Sequence, residues 1–502
     1  MLATVLSCAL VGIEAYPVHV EVDIAAGVPQ TATVGLPDHA VRESKDRVRS
    51  ALRNSGFDFP PRRITVNLAP AHLRKEGAAY DLPIALAILA ATGHAVSSRT
   101  ASLVVAGELA LDGGLRPIRG ALSIANAART AGCQRLLLPQ ANAAEAALVD
   151  DLEILGVRSL TEAVAVLTGA SRAAAIPAQA PAVEPAAIDL DEVRGQEHVK
   201  RALEVAAAGG HNMLLIGSPG AGKTMMARRM VTILPGLTRD EALEVTKIHS
   251  AAGLLVDRAL VETRPFRAPH HTISSGGIFG GRSVSPTPGE LALAHHGVLF
   301  LDELPEFRRD VLEGLRQPLE ERRLTLARAG WRVVYPANAM LLAAMNPCAC
   351  GFRGDSTRVC RCTPHQLAQY RARLSGPLLD RIDLHVEVAP VRFRELSVDA
   401  GGEPSARVRA RVVAARERQR ARLGAHRPTC NAEMGSRELR EHARPDSAGA
   451  AILERAMTRL GLSARAYTRI LKVARTIADL EDRDAVTSAH VAEAIQYRSL
   501  DR

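Results

Sequence analysis

Aromatic side chains are scarce in this chain of 502 residues: Phe, Trp and Tyr make up 3% of it, and there is one Trp. Extensive stacking of nucleic-acid bases on ring faces is therefore not expected, and a polyanion would have to be held by its backbone charges. Long apolar runs are also missing. No stretch reaches the ~20 uninterrupted apolar residues of a membrane span, so no membrane partner is expected. The opening MLATVLSCALVGI lacks the basic leading region of a secretory signal and runs into VHVEVDI, which alternates as a strand does. Cysteine is sparse, at seven residues. That speaks against a disulfide framework and for a soluble, reducing, cytoplasmic protein. No internal repeat is visible.

The composition supports sizeable cores, with 47% hydrophobic residues, and the length divides into about three or four domains of ~100–200 residues. A formal net charge of +9 makes a polyanionic partner plausible. Residues 1–170 mix alternating strands (HVEVDI, RITVNLAP, SLVVAGEL) with Ala-rich helical stretches, an α+β pattern. Residues 171–187, SRAAAIPAQAPAVEPAA, read as a linker rich in Ala and Pro. From 188 to 396 strands alternate with helices around glycine-rich turns, the mark of a parallel α/β layer. Residues 397–502 carry a basic helix and then a small helical domain.

The phosphate-binding signal is NMLLIGSPGAGKTMMARRM. An apolar strand leads into Gly217, Ser218, Pro219, Gly220, Ala221, Gly222, Lys223 and Thr224, and a helix follows. Glycines let backbone N–H groups close on phosphate oxygens, Lys223 reaches the terminal phosphates of ATP, and the Thr224 hydroxyl suits Mg²⁺. The second half is GVLFLDEL, residues 297–304, an apolar strand that delivers Asp302 and Glu303 at its carboxyl end. Asp302 is expected to hold the metal and Glu303 to deprotonate the attacking water. A third strand, MLLAAMN, ends at Asn346, whose amide suits the water and the γ-phosphate. In LSGPLLDRIDLHVEV, Arg381 stands between two aspartates, offering an always-charged guanidinium to a phosphoryl transition state.

Taken with these, PFRAPHHTISSGG, PGELALAHHGVLFLDELPEF, LRQPLEERRLTLAR, MNPCACG and SGPLLDRIDL resemble the magnesium-chelatase-like AAA+ ATPases of the YifB/ComM group, over essentially the whole chain. The resemblance implies an AAA+ domain of the Mg-chelatase/MCM clade, a carboxyl-terminal helical lid, and a ring of identical subunits, a hexamer, with ATP at the interfaces. It implies that Lys223, Thr224, Asp302, Glu303 and Asn346 act from one subunit and Arg381 toward the neighbour's nucleotide. In SARAYTRILKVARTIADL, Arg465 matches the lid arginine that contacts the γ-phosphate, with Arg469 as the alternative. The stretches 67–86 and 107–132 are similar to the Lon protease catalytic domain, yet the nucleophile region reads EGAAYDL without a serine and the lysine position falls on Leu122. Lon chemistry needs both groups, so the fold is expected without the peptidase.

Other features concern substrate and metal. LTLARAGWRVVYP reads as a β-hairpin turning near Ala329 and Gly330. The wider clade places such a hairpin in the ring pore, and here it would bring Arg328, Trp331 and Arg332 to DNA; Trp331 as core is the competing reading. The segment holding His270 and His271 lacks ligand spacing and is assigned no metal. The helix SARVRARVVAARERQRARLGAHR is either a solvated face or a set of phosphate contacts. Cys348, Cys350, Cys360 and Cys362, within the insertion 348–362, have the composition of a closed tetrahedral Zn²⁺ site. The resemblance implies an ATP-dependent DNA helicase promoting branch migration in homologous recombination and natural transformation. A motor for metal insertion into porphyrin is the alternative, and an ATP-dependent protease a weaker third.

Overall fold

Period-two alternation organises the amino-terminal sheet. In β2 (Glu14–Ala25), Val18, Val20, Val22 and Ile24 are buried while His19 and Asp23 are exposed, so one face turns inward. β2 pairs antiparallel with β1 (Leu2–Val11) and with β4 (Arg63–Ala69). β3 (Gln30–Val34) lies parallel to β4, outside it. After β5 (Leu103–Val105) comes a small ribbon, β6 (Glu108–Leu109) with β7 (Leu115–Arg116), and then β8 (Arg135–Pro139) and β9 (Glu153–Val157). The seven-stranded order is β3-β4-β2-β1-β5-β8-β9. The helix Asp81–Ala91 is apolar nearly all round and almost wholly buried on one face, as a helix without a polar side must be. The helix Ala121–Thr130 covers the other face.

The protein is represented by a computed structural model that describes residues 1–94, 102–176, 188–255, 258–281, 286–328, 331–355, 358–390, 401–424 and 428–498. From residue 177 on, the expected linker lies outside the described residues, as do the expected hairpin turn at Ala329 and Gly330 and the Arg328 side chain.

The second sheet is parallel throughout. It contains β10 (Met213–Ile216), β11 (Phe266–Arg267), β12 (Val298–Leu301), β15 (Met340–Met345) and β16 (Leu384–Glu387), in the order β11-β12-β15-β10-β16. Helices cover both faces, so every residue of MLLI, VLFL and MLLAAM is buried, as parallel sheets require. Alternate residues feed two different cores. Met213, Leu215, Val298, Phe300, Leu342 and Ala344 join the core shared with the carboxyl-terminal helix Ala464–Leu480. Leu214, Ile216, Leu299, Leu301, Leu341 and Ala343 face the other side. The carboxyl-terminal helices thus share their core with the parallel sheet.

Between β12 and β15 stands the antiparallel hairpin of β13 (Arg323–Arg328) and β14 (Trp331–Pro336), with Arg328 opposite Trp331. Its inner residues Leu324, Val333 and Tyr335 are buried in the second core together with Ile13, from the turn between β1 and β2. At Gly12 (φ +67°), a Cβ would lie 2.3 Å from Val333 Cγ1, so only glycine lets the turn wedge against the hairpin. The helix Arg239–Ala252 completes the joint: Lys247 Nζ donates to Glu14 at 2.7 Å, and Ser250 donates to buried Glu145. No helix among the described residues is long and apolar enough to cross a membrane.

Candidate active site

Because β10, β12 and β15 run parallel, their carboxyl ends open on one edge of the sheet, and each is followed by a residue that chemistry needs. After β10 the backbone of Gly220 and Gly222 takes φ +82° and +88°, conformations that side chains resist. A Cβ on Gly217 would lie 2.3 Å from the Val388 carbonyl oxygen, so the loop is folded too tightly against β16 for any larger residue. Lys223 opens the helix Lys223–Ile233 and turns back over the loop. Its Nζ donates to Gly217 O at 2.7 Å, Ser218 O at 3.0 Å and Asn346 Oδ1 at 3.1 Å. Burial lowers its pKa from the usual lysine value, against the opposing pull of Asp302 and Glu303. The ammonium is therefore partly stripped of water and is poised to exchange carbonyl partners for phosphate oxygens.

After β12, Asp302 accepts the Thr224 hydroxyl at 2.7 Å and the Glu303 backbone N–H at 2.9 Å. A hydroxyl paired with a carboxylate beside a phosphate loop fits Mg²⁺ bound with phosphates, which takes hard oxygen ligands. Glu303 has φ +54°, a left-handed conformation that costs a bulky residue ~1–2 kcal/mol. The turn sends its carboxylate away from Asp302 to His271 Nδ1, 3.1 Å away. The His271 ring lies against that of His270, tilted by 34° with the centroids 4.1 Å apart. Sequence reasoning weighed this histidine pair only as metal ligands and missed His271 as the neighbour of Glu303; PFRAPHHTISSGG carried the residue but not the contact.

The opposite edge holds the arginines. Asn212, just before β10, donates its side-chain N–H to Arg381 O at 3.0 Å and accepts from Asp383 N at 2.9 Å. Met213 is opposite Leu384 in parallel register, so Arg381 lies where the strands begin and Lys223 beyond where they end, a strand length of ~13 Å apart or more. Arg381 is 7% exposed. Its Nη1 donates to Pro377 O at 2.6 Å and its Nη2 lies 2.8 Å from Glu320 Oε1. The flanking aspartates are engaged elsewhere. Asp383 pairs with Arg469 at 2.8 Å and with buried His211 at 3.1 Å. Burial works against that carboxylate, but the Arg469 charge and the His211 bond outweigh it and hold its pKa below the usual range. Arg465 is exposed and 3.9 Å from Asp380. One chain thus brings together Lys223, Thr224, Asp302, Glu303 and Asn346, and keeps Arg381 and Arg465 away from them.

The family model described as Magnesium chelatase, subunit ChlI matches residues 189–396, and its companions match 20–142 and, for the ChlI C-terminal part, 402–498. The YifB protein of Salmonella typhimurium, described as uncharacterized, is 45% identical over 503 residues, covering 100% of this chain and 98% of that protein. Competence protein ComM of Haemophilus influenzae is 43% identical over 511 residues, again covering 100% and 98%. The chain belongs to the YifB/ComM family of magnesium-chelatase-like AAA+ ATPases. An Archaeal Lon protease from Archaeoglobus fulgidus is 46% identical over 46 residues, 9% of this chain and 7% of that protein, in accord with a Lon-like amino-terminal domain.

Other predicted residues of this YifB/ComM protein sit apart from the edge site. Trp331 is half-buried against the second core, and Arg332 is exposed on the same strand. The base of the hairpin is wedged against the turn that holds Gly12 and Ile13. The arginine-rich helix Ser405–Leu423 is not a uniform phosphate-binding stripe. Arg409 donates to Thr232 O and Arg416 to Ala207 O, while Arg411 pairs with Glu204 and Glu403, Arg418 with Asp482, and Arg422 with Asp479. The guanidinium groups fasten the helix to the ATPase core and lid. In the Lon-like domain Leu122 is buried, and adjacent Ser123 donates its hydroxyl to Ile13 O at 2.7 Å.

Proposed function

We propose that this protein is a ring-forming, ATP-driven DNA motor, a hexameric helicase that promotes branch migration during homologous recombination, including the integration of incoming single strands in natural transformation. The observation that carries the reading is the division of the site between the two edges of one sheet. Lys223 would hold the terminal phosphates. Thr224 and Asp302 would hold Mg²⁺, which when bound neutralises charge on the phosphates. Glu303 takes a proton from the attacking water, and Asn346, tied to Lys223, orients that water and the γ-phosphate. Arg381 is out of reach of its own chain's nucleotide, so it serves the neighbour's transition state, and Arg465 on the exposed lid joins it. ATP turnover then depends on contact between protomers, which is how a ring turns hydrolysis into movement.

DNA as the polymer is supported by the name of the competence relative, by the net charge of +9 and by the exposed Arg332 on the hairpin. With 3% aromatics, binding would follow the phosphate backbone and weaken steeply with salt. The test is the ATPase rate of the full-length protein with single-stranded DNA, forked DNA, casein or porphyrin. Stimulation by DNA alone is expected. Stimulation by porphyrin alone would move the protein to the chelatase motors, and stimulation by casein alone to the proteases.

A further inference from the structure

The cysteine loop follows directly on Asn346 and leads straight into the helix Pro364–Arg371. Cys348 is fully buried, while Cys350, Cys360 and Cys362 are half-buried. The Cys348 sulfur is 3.4 Å from that of Cys350 and 3.7 Å from that of Cys360, and the Cys350 and Cys360 sulfurs are 3.6 Å apart. Cys362 Sγ accepts the Cys350 N–H at 3.4 Å, and all four sulfurs lie within 4.8 Å of one another. A single tetrahedral ion with Zn–S bonds of ~2.3 Å sets its sulfurs about 3.8 Å apart. The spacing fits one ion, and it is too close to enclose the several metals of an iron–sulfur cluster. Four soft thiolates with no open position suit structural Zn²⁺.

The same loop rests on the phosphate loop. Gly351 turns with φ +84° and donates its N–H to Cys348 O at 2.9 Å. A Cβ there would lie 2.7 Å from Pro219 Cδ, so the cysteine loop and the phosphate loop are in contact at Gly351. On the other side Tyr370, on the helix the loop leads into, donates its hydroxyl to Asn346 O at 3.2 Å. We propose that Cys348, Cys350, Cys360 and Cys362 bind one structural Zn²⁺ and that this ion clamps Gly351 against Pro219, so that the metal sets the shape of the nucleotide loop and of Asn346. The clamp rests on the nucleotide reading of Lys223 and its loop, whereas the metal count does not depend on it.

The experiment measures metal content of the full-length protein, purified under reducing conditions without added metal, and its affinity for a fluorescent ATP analogue. One zinc per chain is expected, together with the visible absorption of a tetrahedral cobalt thiolate after exchange with Co²⁺. Stoichiometry near zero, iron in place of zinc, or a disulfide recovered from protein handled under argon would overturn the zinc assignment. The double variant Cys350→Ser with Cys362→Ser should lose the metal and bind nucleotide about tenfold more weakly, a loss of the size expected when a supporting loop slackens by a fraction of an ångström. Gly351→Ala guards against misfolding of that variant, since it keeps all four thiolates. It should retain one zinc and still weaken nucleotide binding. Unchanged nucleotide affinity in a folded Gly351→Ala protein, or in wild type stripped of zinc, would overturn the clamp while leaving the metal site intact.

Discussion

The two edges of the five-stranded sheet are made by the same parallel strands but are finished in opposite ways. Where β10, β12 and β15 end, polar groups are joined by bonds that a ligand could replace: buried Lys223 on two carbonyls and Asn346, exposed Thr224 on Asp302. Where β10 and β16 begin, charges are paired with one another: buried Arg381 with exposed Glu320, and Arg469 and His211 with buried Asp383. The first edge is ready to exchange partners. The second ties its guanidinium groups to carboxylates. The comparison teaches that one parallel sheet can finish its two ends differently, with exchangeable polar groups at one and ion-paired arginines at the other.

Substitutions at each edge sharpen the contrast, beginning with the largest effect. Arg381→Ala should lower ATP turnover about 10⁴-fold while leaving nucleotide binding near wild type; binding lost in parallel with turnover would place Arg381 in its own chain's site. Glu303→Gln should lower turnover about 10³-fold with ATP still bound, measured by single-turnover hydrolysis; full-speed branch migration in that variant would remove Glu303 as the base. Arg469→Ala leaves Asp383 buried beside a histidine and without its cation, a change that should cost ~3 kcal/mol of stability in urea unfolding. Arg465→Ala, on an exposed and loosely paired side chain, should cost under ~0.5 kcal/mol and affect turnover only in the assembled protein. The smallest effect is expected from His271→Ala: a change of about threefold in ATP turnover, because the Glu303 carboxylate loses the neighbour 3.1 Å away. An unchanged rate would make the contact structural only.

Legibility in the sequence followed how local each contact is. The phosphate loop, Asp302, Glu303 and Asn346 were readable because each stands at the end of a continuous apolar strand, so its neighbours in space are fixed by its neighbours in sequence. Both sheets were readable for the same reason, through alternation in β2 and unbroken apolar runs in β10, β12 and β15. The partner of Arg381 was not. Two aspartates flank it in the chain, yet Glu320 from the helix Arg316–Glu321 takes the guanidinium, and no pattern within LDRIDL foretells that. The arginine-rich helix reads as a solvated face or a set of phosphate contacts because its anchors at Thr232, Ala207 and Asp479 are distant in the chain. The wedge of Ile13 against the hairpin was hidden likewise, since it joins two domains whose sequences carry no sign of each other.

Complementation between two inactive variants tests the shared site most directly. Lys223→Ala removes the phosphate half and Arg381→Ala the arginine half, and the two proteins would be co-expressed with different tags and purified as mixed oligomers. If the halves meet only between neighbours, interfaces pairing an intact Lys223 with an intact Arg381 re-form, and ATP turnover should return to about a quarter of wild type for random mixing. Mixed oligomers as inactive as either parent would contradict the account.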